Sequence, residues 1–244
     1  MIPAYDVAGS PDGANVILIH GFASNRNVNW KSTGWFGVLT DAGFRVIALD
    51  VRGHGQSQKF YRPEDYDEGV LARDVIDLKD HLDIGRASLI GYSMGSFIAI
   101  RTMLDFPARV TRAVLGGVGE NYFAPVTVDV ERVAAALEAP EGTAADDPVA
   151  RDFRRFAEKT GGDLRALAAC FRRPRKAFQA ADLAAVTAPV LVVCGDKDTI
   201  TGDAAPLASA FPQGRLVRVP GRDHMLTVGD KRFKEAAISF LREA

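Results

Sequence analysis

Cysteine is scarce in this chain. Its 244 residues include two, Cys170 and Cys194, too few for a disulfide framework to organise the fold. Cys194 ends the apolar run Val190-Leu191-Val192-Val193-Cys194 and reads as a small buried hydrophobe. An excess of charge is missing too. Lys and Arg number 30 against 31 Asp and Glu, for a net charge of -1, which removes the basic footprint of a nucleic-acid binder. The one basic cluster, Arg172-Arg173-Pro174-Arg175-Lys176, is short and reads as a solvated loop or helix end. No run of 18 apolar residues exists, so no membrane span is expected. The amino terminus, Met1-Ile2-Pro3-Ala4-Tyr5-Asp6, has no basic stretch followed by an apolar one. No signal peptide is expected from it, and the default location is cytoplasmic. Metal-ligand patterns are lacking: no His-Glu-x-x-His, no Cys-x-x-Cys and no His pair at helical spacing. Phosphate-loop patterns are lacking too, because Gly53-His54-Gly55 continues into neither Gly-x-Gly-x-x-Gly nor Gly-Lys-Ser/Thr. The chain is expected to work without a metal or cofactor.

What is present is alternation. Apolar strands are expected at 15–20, 44–50, 87–90, 110–116, 189–195 and 215–219. Helical spacing appears at Trp35–Ala42, Gly69–Leu82, Phe97–Leu104 and Phe233–Arg242. Strands alternating with helices predict an α/β fold with a mostly parallel sheet covered on both faces. From about 120 to 185 no convincing strand is found, and Val130–Leu137, Asp152–Lys159 and Leu164–Phe171 have helical character. A helical cap inserted after the strand ending near Gly116 is therefore expected. It divides the chain into core 1–118, cap 119–185 and core 186–244. Repeats are absent.

Gly91-Tyr92-Ser93-Met94-Gly95 follows one of these strands and opens a helix. Glycines on both sides let the backbone turn tightly where side chains would collide, and the turn exposes the Ser93 hydroxyl. Such a serine needs a base. Of the four histidines, His81 sits in a polar helix stretch and His20 carries no assigned role. His54 and Arg52 read as holding the loop Asp50-Val51-Arg52-Gly53-His54-Gly55-Gln56-Ser57 by hydrogen bonds. His224 lies in a loop after a strand, at the end of the sheet where ligand sites gather, and is the candidate base. The acid that orients it is expected at Asp198. Asp196 is the alternative, otherwise a loop carboxylate capping amides, and Glu120 is a third option. The amides of Phe22 and Met94 are candidate oxyanion donors. Trp30, Trp35, Phe36 and Tyr122 are candidates for an apolar pocket.

His20-Gly21-Phe22, the Asp50–Ser57 loop, the Ser93 elbow, Gly195-Asp196-Lys197-Asp198 and Asp223-His224 occur in the order seen in α/β-hydrolase fold enzymes. Over residues 15–118 and 186–241 the chain resembles the small bacterial serine esterases of that superfamily. The resemblance implies Ser93 as nucleophile, Asp198 as acid, His224 as base, and Phe22 and Met94 as oxyanion donors. It implies hydrolysis of a small-molecule ester through an acyl-enzyme. Thioester, amide or C–C bond hydrolysis and perhydrolysis remain open on the same residues, as does a ligand-binding role with little turnover. Two departures stand out. The segment before residue 15 is short, so one or both leading antiparallel strands are expected to be missing. The nucleophile is Ser rather than Asp, unlike haloalkane dehalogenases and epoxide hydrolases. Oligomeric state is left open.

Overall fold

The computed structural model describes residues 1–123, 129–140, 142–143, 146–175 and 179–243. The chain begins with β1 (Tyr5–Ala8), β2 (Asn15–Ile19), α1 (Trp35–Asp41) and β3 (Arg45–Leu49), and continues through α2 (Glu68–His81), β4 (Ala87–Tyr92), α3 (Met94–Asp105) and β5 (Val110–Gly116). Helices α4 (Val130–Glu138), α5 (Pro148–Lys159), α6 (Leu164–Phe171) and α7 (Ala180–Leu183) come next. The chain closes with β6 (Val190–Gly195), α8 (Ala205–Ala210), β7 (Gly214–Val219), α9 (His224–Thr227) and α10 (Lys231–Arg242).

The strands form one sheet in the order β1-β3-β2-β4-β5-β6-β7. β1 pairs antiparallel with β3, and every other pairing is parallel. One leading antiparallel strand is therefore kept. The order reverses at β2, with β3 on one side and β4 on the other. Loops leaving a parallel sheet at such a reversal diverge and open a crevice. Here those loops carry Gly21-Phe22 and Ser93.

The strands are apolar on both faces because helices cover both. Ile17, Ile19, Leu89 and Leu115 point to one side, where Leu71 and Val75 of α2 and Ile98 of α3 meet them. Val16, Leu18, Ile90 and Val114 point to the other, against Trp35 and Leu39 of α1 and Phe233 and Phe240 of α10. Trp35 stacks edge-on against Trp30 at 5.7 Å and against Phe233 at 5.0 Å. A third apolar cluster joins Val133 and Leu137 of α4, Ala150 and Ala157 of α5, and Leu167 and Phe171 of α6 to Ala23, with Phe22 and Phe153 packed on it. Cys170 of α6 and Leu183 of α7 pack into the main core, while α4, α5 and α6 thus share an apolar cluster that rests on the loop following β2. Thr160 fastens that contact by donating its hydroxyl to the Ala23 carbonyl at 2.6 Å.

Two glycines let α3 sit directly on the sheet. A Cβ on Gly91 would lie 2.4 Å from the Gly95 carbonyl oxygen, and one on Gly95 would lie 2.0 Å from the Ile19 carbonyl oxygen. Both obstacles are backbone and cannot swing aside. Gly37, exposed in α1, is different: a methyl group added there would meet nothing within 4 Å. Gly95→Ala is expected to cost about 3 kcal/mol or more through overpacking. Gly37→Ala is expected to gain about 0.5–1 kcal/mol through helix propensity. Urea unfolding midpoints of the two variants check both signs.

Candidate functional site

Ser93 stands between β4 and α3 with φ 51° and ψ -117°, a positive-φ conformation that a non-glycine residue adopts only when its surroundings impose it. The imposition is visible. Ser93 N–H donates to the Gly116 carbonyl at 2.8 Å, Ser96 Oγ donates to the same carbonyl at 2.8 Å, and the close approaches at Gly91 and Gly95 leave the turn no slack.

His224 is brought to Ser93 from the loop after β7. That loop is stitched to the loop after β6: Lys197 N–H donates to the Arg222 carbonyl at 3.0 Å, and Gly221 N–H donates to Asp196 Oδ1 at 2.6 Å. Asp196 is thus a loop carboxylate, and the other carboxylate faces the histidine. His224 Nδ1 donates to Asp198 Oδ2 at 2.8 Å, and Ser93 Oγ lies 3.1 Å from His224 Nε2. Asp198 Oδ1 accepts from the amides of Ile200 at 3.0 Å and Thr201 at 3.1 Å, so the carboxylate cannot rotate away. Burial acts to raise the Asp198 carboxyl, but the hydrogen bond and charge of His224 and the two amides outweigh it and hold it below the usual carboxylate range. The carboxylate therefore stays ionised opposite the imidazole. Glu120 is exposed and its amide is engaged with the Asp203 carbonyl; it makes no hydrogen bond to His224.

Tyr92 supports the histidine. Its hydroxyl donates to the His224 carbonyl, and its ring lies 5.5 Å from the imidazole. Burial pushes the Tyr92 hydroxyl well above its ordinary value, so it remains a donor. Gly117, at φ +61°, gives the imidazole room, since a Cβ there would lie 3.1 Å from His224 Cε1.

The Gly21-Phe22 turn faces the elbow. A Cβ on Gly21 would approach Ser93 Cβ to 3.3 Å, and Gly21 N–H donates to Asn29 Oδ1 at 3.1 Å. Among the described residues the Phe22 amide has no backbone or side-chain acceptor, and Met94 is the first residue of α3. His20 holds this turn as a neutral imidazole: Nδ1 donates to the Gly21 carbonyl at 2.8 Å and Nε2 accepts from Val51 N–H at 3.0 Å. Burial lowers its proton affinity in keeping with that role. Below it, Asp50 gathers the loops by accepting from the amides of Arg26 at 2.8 Å and Gln56 at 2.7 Å and by pairing with the Arg26 guanidinium. His54 Nδ1 donates to the Arg52 carbonyl at 3.0 Å, and Arg52 forks onto Asp74 at 2.6 and 2.7 Å. Both hold the loop as the sequence suggests; the Asp50 carboxylate at its centre is a feature that sequence reading misses.

The expectation for Trp30, Trp35 and Phe36 needs correction. Trp30 and Trp35 are fully buried in the core layer under α1 and α10, with Phe36 packed against it. Trp30 precedes α1 and Trp35 opens it, and both side chains turn into that layer. Tyr122 is buried against Phe97 at 5.3 Å, one turn of α3 beyond Ser93. The aromatic wall beside the turn is Phe22, Phe153 and Phe171, with ring centroids 5.1–5.8 Å apart. The basic cluster also departs from its solvated reading: Arg173 is 9% exposed, and Lys176 lies outside the described residues. These residues escape sequence reading because neither helical spacing nor a local motif says which face of the α4–α6 segment meets the turn. Among the described residues no three His, Cys, Asp or Glu side chains converge as a metal-ligand set, and no helix is long and apolar enough to cross a membrane.

Comparison with known proteins agrees with this architecture. A family model described as alpha/beta hydrolase fold matches residues 14–177. The chain is 32% identical, over 96% of its length, to the dihydrolipoyllysine-residue acetyltransferase component of an acetoin cleaving system from Pseudomonas putida, and spans 65% of that protein. It is 34% identical, over 51% of its length, to a 2-hydroxy-6-oxo-6-phenylhexa-2,4-dienoate hydrolase from Comamonas testosteroni, and spans 44% of it. The crystal structure of a hydrolase from Pseudomonas aeruginosa superposes with a TM-score of 0.82 at 28% identity, covering 98% of this chain and 94% of that one. A serine elbow at the reversal of a parallel sheet, matched by the family model over two thirds of the sequence, places this chain in the α/β-hydrolase fold family.

Proposed function

We propose that this chain is a serine hydrolase that cleaves carboxylic esters through an acyl-enzyme. The observation that carries the reading is the relay Ser93 Oγ to His224 Nε2 at 3.1 Å and His224 Nδ1 to Asp198 at 2.8 Å. With Nδ1 donating to the carboxylate, Nε2 is left as the acceptor for the serine proton. His224 takes that proton as Ser93 Oγ bonds to the ester carbonyl carbon. The C–O bond to the alcohol breaks, and the leaving oxygen takes the proton from His224. Water then attacks the acyl-enzyme, losing a proton to His224, which returns it to Ser93 as the acid departs. The amides of Phe22 and Met94 stabilise the oxyanion in both halves, and the α4–α6 segment serves as a cap that shapes the acyl site. A second reading, hydrolysis of a C–C bond by the same residues, is favoured by the name of the relative from Comamonas testosteroni.

A panel of p-nitrophenyl esters of increasing acyl length, beside a vinylogous diketone for the second reading, tests this. Ser93→Ala is expected to lower kcat by about 10⁶, and Asp198→Asn by up to about 10⁴ through the wrong imidazole tautomer. If Asp196→Asn were the damaging change and Asp198→Asn were silent, the acid would be misassigned. EDTA is expected to leave ester turnover unchanged; loss restored by a divalent ion would contradict a metal-free reaction.

A further inference from the structure

Two arginines just after α6 have no carboxylate partner among the described residues. Arg173 is 9% exposed and donates through Nη1 to the Cys170 carbonyl at 3.0 Å. Its buried Nε has no hydrogen-bond partner. Arg175 is half-buried, with its guanidinium stacked 5.0 Å over the Phe171 ring. Phe171 in turn lies 5.1 Å from Phe22, whose neighbour Gly21 packs against Ser93. One aromatic layer therefore separates Arg175 from the turn beside the nucleophile. His54, whose ring is 5.7 Å from Phe22, leaves its buried Nε2 unpartnered on the same side.

Among the described residues, the acidic groups around this cluster are not in contact with the two arginines. Glu68, at the start of α2, is the acidic group whose field Arg173 and Arg175 both feel, yet no ion pair within 4.0 Å joins it to either arginine among the described residues. Neighbouring Arg101 is taken by Asp105 at 2.7 Å, and Asp67 caps α2. Burial raises the Glu68 carboxyl against the opposing charges of Arg173, Arg101 and Arg175. Burial, and then the charge of Arg173, lower Arg175 to about 10. Elsewhere in this protein arginines near the interior are neutralised directly, Arg26 by Asp50 and Arg52 by Asp74. A buried cation left unpaired is costly, and a guanidinium presents the planar fork that a carboxylate matches in bidentate fashion.

We propose that Arg173 and Arg175 form a carboxylate-binding subsite on the far side of the Phe22–Phe171 layer from Ser93, and that the preferred substrate is an ester carrying a free carboxylate. The inference rests on the esterase reading for its chemistry and on the arginine pair for its selectivity. The carboxylate enters the arginine pair, the chain linking it to the ester crosses the Phe22–Phe171 wall, and the ester carbonyl meets Ser93.

The test compares the mono-p-nitrophenyl ester of adipic acid with its neutral methyl-ester counterpart, in wild type and in Arg173→Gln and Arg175→Gln. Wild type is expected to favour the charged ester in kcat/KM by roughly ten- to hundred-fold, and each variant to reduce that ratio towards one. Arg175→Lys, which keeps the charge but not the fork, is expected to fall between. Binding is read separately in Ser93→Ala: glutarate is expected to raise the melting temperature, with the shift lost on adding Arg173→Gln. Inorganic phosphate, offered in parallel, distinguishes a carboxylate site from a general anion site; an equal shift with phosphate would overturn the carboxylate assignment. A wild type that cleaves the neutral ester with no preference for the charged one overturns the subsite and leaves the esterase reading intact. Cleavage of neither ester, with a glutarate shift that needs Arg173, overturns the esterase reading and keeps the subsite. Should Arg173→Gln fail to fold, the Arg175 variants and inhibition of neutral-ester cleavage by glutarate decide; no inhibition in wild type would overturn the proposal.

Discussion

Everything at the site depends on a backbone contact with no side chain in it. Helix α3 starts so close to β2 and β4 that the Gly95 Cα faces the Ile19 carbonyl and Gly91 faces the Gly95 carbonyl. That proximity forces Ser93 into a positive-φ turn at the tip. It also sets the amino end of α3, with its unsatisfied amides and positive dipole, beside the Gly21-Phe22 turn. Widening the gap by one methyl group would move the serine, the helix end and the facing turn together.

The remaining elements hold other groups to that fixed point. Backbone hydrogen bonds between the loops after β6 and β7 set Asp198 against His224, and the Tyr92 hydroxyl ties the histidine back to the strand that carries the serine. On the opposite side His20 and Asp50 anchor the turn after β2. Each of these supports is a buried polar group with its partners present, which is how polar side chains confer rigidity rather than cost. Arg173 and Arg175 are conspicuous against that background, since they are near the same turn and have no carboxylate partner among the described residues.

Much of this is legible in the sequence, for a physical reason. Gly91, Gly95, Ser93 and His224 are constrained by chain direction and by steric limits that only particular residue types meet, so residue type and order reveal them. Asp198 can be ranked above Asp196 by position only; the structure separates them by what each carboxylate accepts. Trp30 is misread because an aromatic in a loop gives no sign of which face of the sheet it covers. Arg173 is misread because a run of basic residues looks solvated until its helix is packed. One leading strand, β1, survives as a four-residue edge pairing with β3, too short and too polar to be read from Tyr5-Asp6-Val7-Ala8.

The claim at the centre is that the Ser93 hydroxyl is a nucleophile activated by His224. Labelling of the folded protein with a fluorophosphonate, followed by peptide mass mapping, tests it most directly. The geometry predicts one adduct, on Ser93, that vanishes in His224→Ala while the fold is retained. A folded wild-type protein that takes no label, or a label that persists unchanged in Ser93→Ala, would contradict it.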